Sequence, residues 1–179
     1  VNLDNLHLTL YATDASVYRE RPMAVCFPKN ENDLEKLVFF AHENKLPLIP
    51  RTAGTSLAGQ VVGHGIIVDM SKHMTSVLEV NQKEKWVIVQ PGVVRDELNT
   101  YLKQYGLYYG PETSTSNRAM IGGMVGNNSC GANSIVYGSA RDNLYEINGF
   151  LSNGEKVSFT SLNFDQFKEK THQSTLEGN

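Results

Sequence analysis

A chain of 179 residues is long enough for one full domain or for two small lobes sharing a core, and a domain of this size hides roughly 70% of its unfolded surface. Hydrophobic residues make up 40% and charged residues 20%, with 16 basic against 19 acidic side chains for a formal net charge of -3. That balance argues against nucleic acid as a main partner, because phosphate-backbone binding shows as a basic surplus or a clustered basic face.

The first twenty residues are polar with scattered apolar positions, and the pattern sharpens over 23–28 (MAVCFP), a strand-like run closed by proline. Asn30 or Asn32 can then cap a helix whose apolar positions Leu34, Leu37, Val38 and Ala41 fall at helical spacing. Residues 46–50 (LPLIP) return to strand, which completes a βαβ unit. Beyond it GIIVDM, SVLEVN and KWVIVQ are short β-rich runs between turn residues, and they read as antiparallel hairpin strands. Residues 94–105 place Val94, Leu98, Tyr101, Leu102 and Tyr105 on one helical face, stopped by Gly106. A long irregular segment follows over 111–143, after which LYEINGFL and EKVSFT flank an Asn-Gly turn as a closing hairpin. The tail from Ser161 carries Phe164 and Phe167 with weak periodicity, which leaves its structure open.

The layout is α+β: a small βαβ lobe to about Asp69, a larger, mostly antiparallel lobe with flanking helices over 70–160, and a tail over 161–179. No apolar run approaches the ~20 residues of a membrane helix, and no charged n-region with an apolar h-region opens the chain. Cys26 and Cys130 lie far apart, without metal-ligand or disulfide-framework spacing, which favours a reducing compartment. The absence of an initial Met and the polar ending STLEGN suggest a piece of something longer.

The chemistry sits in three segments. In residues 50–60 (PRTAGTSLAGQ), Gly54 and Gly59 permit backbone angles closed to other residues, Ala53 keeps the approach narrow, and Thr52, Thr55 and Ser56 add hydroxyls to the backbone donors. Such a turn after a strand suits an anion. It is not a Walker loop, since no lysine occurs between Lys45 and Lys72, and it is not GxGxxG. The plain alternative is a polar Ω-type surface loop. In residues 121–132 (IGGMVGNNSCGA), Gly122 and Gly123 let backbone approach a flat or charged ligand, while Asn127, Asn128 and Ser129 can hydrogen-bond it; a tight crossing between elements explains the same glycines. Residues 111–115 (PETST) bring three hydroxyls just ahead of that loop, or simply connect helix to loop.

Other residue types add little. His7, His42, His64, His73 and His172 have no ligand spacing, and no Ser/His/Asp grouping or paired carboxylate stands out, so neither a metal site nor a catalytic residue is assigned. Asp69, Asp96 and Asp142 are isolated, with Asp142 suited to fixing a turn or an ion pair, and Trp86, Tyr101, Tyr105, Tyr108 and Tyr109 suit packing. Residue chemistry alone reaches a two-lobed module that holds a phosphate-bearing ligand.

With these motifs in order, from YATDASVYRERPMAVCFP through PRTAGTSLAGQ, GIIVDMSKHM and VQPGVVRDELNTYL to PETSTSNRAMIGGMVGNNSCGANSIVYGSARDNL, the chain resembles the FAD-binding domain of the vanillyl-alcohol-oxidase superfamily. This PCMH-type fold resembles most the glycolate oxidase subunit and D-lactate dehydrogenase group. The resemblance implies that Pro50, Arg51, Thr52, Ala53, Gly54, Thr55, Ser56 and Gly59 wrap the FAD pyrophosphate through backbone N–H groups. It implies that Pro111, Glu112, Thr113, Ser114, Thr115, Gly122, Gly123, Asn127, Asn128, Ser129, Gly131 and Ala132 lie along the flavin, ribityl and diphosphate parts, with Gln60 and Gly138 in the same motifs.

Covalent members of the superfamily carry histidine after the paired glycines of the first loop. Here Thr55 takes that position and Ala53 replaces the first glycine, so FAD is expected without a bond to protein. The resemblance further implies oxidation of a small 2-hydroxy acid such as D-lactate or glycolate, with hydride passing to flavin N5. A cap domain beyond this chain would hold the substrate, and electrons would pass to a quinone, an iron-sulfur domain or a partner protein. The expected location is cytoplasmic or peripheral to the inner face of the membrane. A non-catalytic nucleotide-binding or interaction module is the rival reading.

Overall fold

The computed structural model describes residues 1–176. In chain order the elements are α1 (Asn5–Leu10), β1 (Ala24–Cys26), α2 (Glu31–Glu43), β2 (Leu48–Arg51), β3 (Ile66–Asp69), β4 (Val77–Asn81), β5 (Trp86–Val89), α3 (Arg95–Leu102), α4 (Ile121–Gly126), α5 (Ser134–Tyr137), β6 (Glu146–Phe150), β7 (Lys156–Thr160) and α6 (Phe164–Thr171). They form two compact units, one of residues 1–30 with 47–143, the other of residues 31–46 with the chain from Leu144 onward.

The first unit is built on a parallel sheet of order β1-β3-β2. Val25 and Ile49 both register with Ile67 of the central strand. β3 was expected to pair as a hairpin strand and is instead this central parallel strand; its unbroken IIV run reflects burial on both faces, which a periodicity argument cannot distinguish from a short hairpin strand. Leu8 of α1 packs with Val25 and Ile67, with Tyr11, Phe27 and Ile49 around them. α1 lies in the stretch whose scattered apolar positions marked no element; Asp4 caps it, its side chain accepting from the His7 N–H at 3.1 Å.

The Tyr11 hydroxyl donates to Asp69 Oδ2 at 2.5 Å, and Asp69 Oδ1 accepts from the Ser71 N–H at 2.7 Å, which satisfies a carboxylate only 4% exposed. Burial, reinforced by Asp69, pushes the Tyr11 phenol above its ordinary value of 10.0. The folded state thus holds this proton more tightly than the unfolded chain, so its contribution is complete below pH 10 and is lost as pH rises beyond it. Tyr11→Phe is expected to cost about 1–2 kcal/mol at neutral pH and to flatten the loss of stability above pH 10, as urea melts across pH would show.

The hairpin β4-β5 is antiparallel as expected, with Val77 opposite Val89 and a register shift between Val77 and Glu79. Its Val77, Val80, Val87 and Val89 pack on the second core, made by Val93, Leu98, Leu102, Ala119, Ile121 and Met124. α3 continues as a 3-10 turn over Lys103–Tyr105 and stops at Gly106, where φ is +66° and the Leu107 N–H returns to the Leu102 carbonyl at 3.2 Å. The stretch read as irregular over 111–143 contains α4 and α5. Glycine hides α4 from propensity, but the N–H groups of Ile121 and Gly122 bond the carbonyls of Val93 and Pro91, each at 2.9 Å, and Ile121 and Met124 enter the core at helical spacing.

In the second unit α2 is closed off by Lys45, φ +52°, two residues past its end, with the Leu46 N–H bonded to the Ala41 carbonyl at 2.9 Å. β6 and β7 form the closing antiparallel hairpin, with Ile147 opposite Phe159 and Gly154 in the turn at φ +89°. The tail from Ser161, whose structure the sequence leaves open, is helical over α6 and carries a capping box between Asn163 and Gln166. Its last three positions, 177–179, lie outside the described residues.

Candidate functional site

All the candidate residues lie in the first unit. The first loop leaves the C-terminal end of β2, where Arg51 registers with Asp69. The Arg51 guanidinium donates to the Thr13 carbonyl at 2.8 Å and stacks over the Tyr11 ring, 5.0 Å from its centroid. It also underlies Gly54, where an added Cβ would come within 2.7 Å of Nη2. Arg51 is therefore a brace beneath the loop. Gly54 and Gly59 adopt φ of +66° and +69°. Among the described residues, the backbone N–H groups of Ala53, Gly54, Thr55 and Ser56 form no hydrogen bond. Four consecutive unpaired donors, with no carboxylate between Pro50 and Gln60, make a concavity suited to an anion.

The third segment is held from α3, and the second is joined to it through Glu112. Arg95, only 7% exposed, donates to the Pro111 carbonyl at 3.0 Å, to Asp96 Oδ1 at 2.9 Å and to the Tyr108 hydroxyl at 2.7 Å. Asn99 clamps the Tyr109 backbone in both directions, accepting from its N–H at 2.7 Å and donating to its carbonyl at 3.1 Å. Residues 111–115 therefore start from a fixed point. Thr113 and Thr115 share a hydroxyl contact at 3.2 Å, and Glu112 accepts from the Asn133 N–H at 3.2 Å. Gly131 must lack a side chain, since a Cβ there would lie 2.8 Å from the Glu112 carbonyl oxygen. Ser114 and Ala132 are exposed.

Two contacts bring the loops together. A Cβ at Gly123 would stand 2.7 Å from Thr52 Oγ1, and Gln60 donates to Asn127 Oδ1 at 3.1 Å while accepting from the Ser56 hydroxyl. Gly122 lies against Pro91, with 2.5 Å left for a Cβ. Other candidates serve local turns. Asn128 accepts from the Arg141 N–H at 3.0 Å, and Ser129 is buried with its N–H on the Met124 carbonyl at 2.8 Å. Gly138, φ +73°, precedes Ser139, whose N–H and hydroxyl both donate to Asp142 at 2.8 Å and hold that carboxyl below its usual range.

Arg95, Asn99, Tyr11 and Asp69 shape the site, and sequence reasoning did not single them out for it. Nothing in VRDELNTYL separates an inward arginine from a solvated one, since both suit a helix start. Among the described residues no group of three His, Cys, Asp or Glu side chains could hold a metal, and no helix is long and apolar enough to cross a membrane.

A parallel sheet opens into unpaired backbone donors, and Gln60 joins that loop to Asn127 at the end of the glycine-bearing α4, an arrangement suited to a phosphate-bearing ligand. The family model for the FAD binding domain matches residues 22–160, and the chain belongs to that family. The D-2-hydroxyglutarate dehydrogenase of Haemophilus influenzae is 43% identical over 155 residues, 85% of this chain and 15% of that protein. The mitochondrial D-lactate dehydrogenase (cytochrome) of Kluyveromyces lactis is 31% identical over 160 residues, 87% of this chain and 27% of that protein. The chain thus spans about 15% of the length of the dehydrogenase from Haemophilus. A solved structure of alkyldihydroxyacetonephosphate synthase superposes with a TM-score of 0.81 at 21% identity, covering 91% of this chain and 32% of that one, so the PCMH-type fold is shared. FAD is the family's cofactor, and the unpaired donors of residues 53–56 fit its pyrophosphate.

Proposed function

We propose that this chain is the FAD-binding part of a dehydrogenase that oxidises a small D-2-hydroxy acid. The observation that carries the reading is the run of four unpaired N–H groups in the first loop, a site for an anion that stays bound and is never transferred. When bound, FAD supplies a hydride acceptor at flavin N5. Ala53, Gly54, Thr55 and Ser56 hold the pyrophosphate by backbone donors, Arg51 braces them from below, and Gln60 with Asn127 ties the loop to α4. Gly122 and Gly123, closed against Pro91 and Thr52, draw the backbone of α4 up to the first loop along the flavin and ribityl parts, and Pro111 to Thr115 border the same space from the Arg95 anchor.

Identity of 43% and 41% to dehydrogenases named for D-2-hydroxyglutarate, against 31–32% to those named for D-lactate and glycolate, favours the dicarboxylic acid as substrate. The substrate is held by chain beyond this unit, and electrons pass to a quinone, an iron-sulfur domain or a partner protein. Reduction of a dye by the purified full-length protein is expected with D-2-hydroxyglutarate, more weakly with D-lactate and glycolate. Absence of flavin absorbance together with no response to any of the three acids refutes the reading. With Thr55 standing where covalent members of the superfamily carry histidine, FAD is held without a bond to protein; acid precipitation should leave all flavin in the supernatant.

A further inference from the structure

Residues 13–18 lie across the first loop and touch it at three points. The Thr13 carbonyl accepts from Arg51, the Ala15 N–H donates to the Gly54 carbonyl at 3.1 Å, and the Tyr18 ring covers Gly59, where a Cβ would stand 2.7 Å from Cδ2. The segment precedes residues 22–160, the part matched by the family model, and the resemblance that begins at YATDASVYRERP assigns none of residues 13–18 to FAD.

We propose that this strap sets the orientation of the 54–55 peptide and that Ala15 is a positioning residue for FAD. The inference rests on the reading of residues 53–56 as the pyrophosphate loop. Among the described residues no peptide is cis, so the Gly54 carbonyl and the Thr55 N–H point in opposite directions from one planar unit. The Ala15 N–H holds that carbonyl on the strap side, which turns the Thr55 N–H to the other side, where it has no partner among the described residues. Gly54 makes this lock necessary. At a glycine with φ +66° the following peptide can turn over at little cost, and a turned peptide would offer a phosphate its carbonyl oxygen. The strap side is also hostile to phosphate, since Asp14 lies between the contact points with Oδ2 buried and unpartnered among the described residues and Oδ1 accepting from the Ser16 N–H at 2.8 Å.

The test uses the full-length apoprotein, with FAD and ADP as ligands that contain the pyrophosphate and with adenosine and riboflavin as ligands that lack it. Ala15→Pro removes the donor; replacing the Ala15 amide by an ester removes the same hydrogen without proline's constraint and keeps the test open if the proline variant misfolds. The ester variant should weaken FAD and ADP about tenfold, leave adenosine and riboflavin unchanged, and melt within a few degrees of wild type. Ala15→Gly keeps the donor and should bind FAD as wild type does. Equal losses for all four ligands would make the strap a structural element only and overturn the inference. Unchanged FAD and ADP affinity also overturns it. Gly54→Val then separates the two failures: if that variant loses FAD, the pyrophosphate loop stands without the lock, and if it does not, the loop reading falls as well.

Discussion

Gly54→Val is expected to raise the Kd for FAD by at least about 100-fold in the full-length protein, while leaving the first unit folded. At φ +66° a β-branched residue is strained, and its Cβ would displace the Arg51 guanidinium from 2.7 Å away. Relief requires the loop to leave the conformation in which Ala53 to Ser56 present their N–H groups. A 100-fold loss corresponds to about 2.8 kcal/mol, at about 1.4 kcal/mol per tenfold, which is comparable to one or two charge-assisted hydrogen bonds. Folding should survive because the loop belongs to neither core cluster. Gly54→Ala, without branching, should lose roughly tenfold. Quenching of flavin fluorescence on titration into apoprotein measures both; wild-type affinity in Gly54→Val would remove the loop from the cofactor site.

Arg95→Ala is expected to be the most destabilising single change at a polar residue of the first unit, by about 3 kcal/mol. Its guanidinium joins the start of α3 to Tyr108 and Pro111, and truncation leaves the Pro111 carbonyl without this donor beside a core that contains Leu98 and Leu102. Asp96, whose carboxyl is held low chiefly by its bond to Arg95, is partly exposed and can turn to water, so the penalty falls on the buried carbonyl. Arg95→Lys should recover less than half of the loss, because one ammonium cannot span the three partners that the planar fork reaches. Thermal or urea melts measure the stability. FAD affinity should fall alongside, since residues 111–115 lose their fixed start.

Elements whose signal is local were legible in the sequence. α2, α3 and both hairpins follow from helical spacing, from alternation and from turn residues at Gly106 and Gly154. What escaped depends on partners distant in the chain. β3 reads like any short apolar run until β1 and β2 are seen on its two edges. α4 is stabilised by carbonyls at Pro91 and Val93, which no propensity of IGGMVG can report. At the site, the glycine-rich loops announced themselves because glycine carries a conformational signature. Arg95 and Tyr11 did not, because their roles depend on where a long or planar side chain ends, at Pro111 and at Asp69.

The order of strands in the parallel sheet has a kinetic consequence. β1 and β2 each pair with β3, which follows both of them in the chain, so during synthesis two strands wait for the third. The first loop is itself the start of the connection from β2 to β3, and docking the late central strand is the event that closes it. Binding of FAD to the native state alone then draws the same equilibrium forward, by an amount that grows with the logarithm of free cofactor concentration. Chains made under flavin starvation should accordingly linger with an open sheet edge and be cleared by proteolysis more often than chains made in its presence.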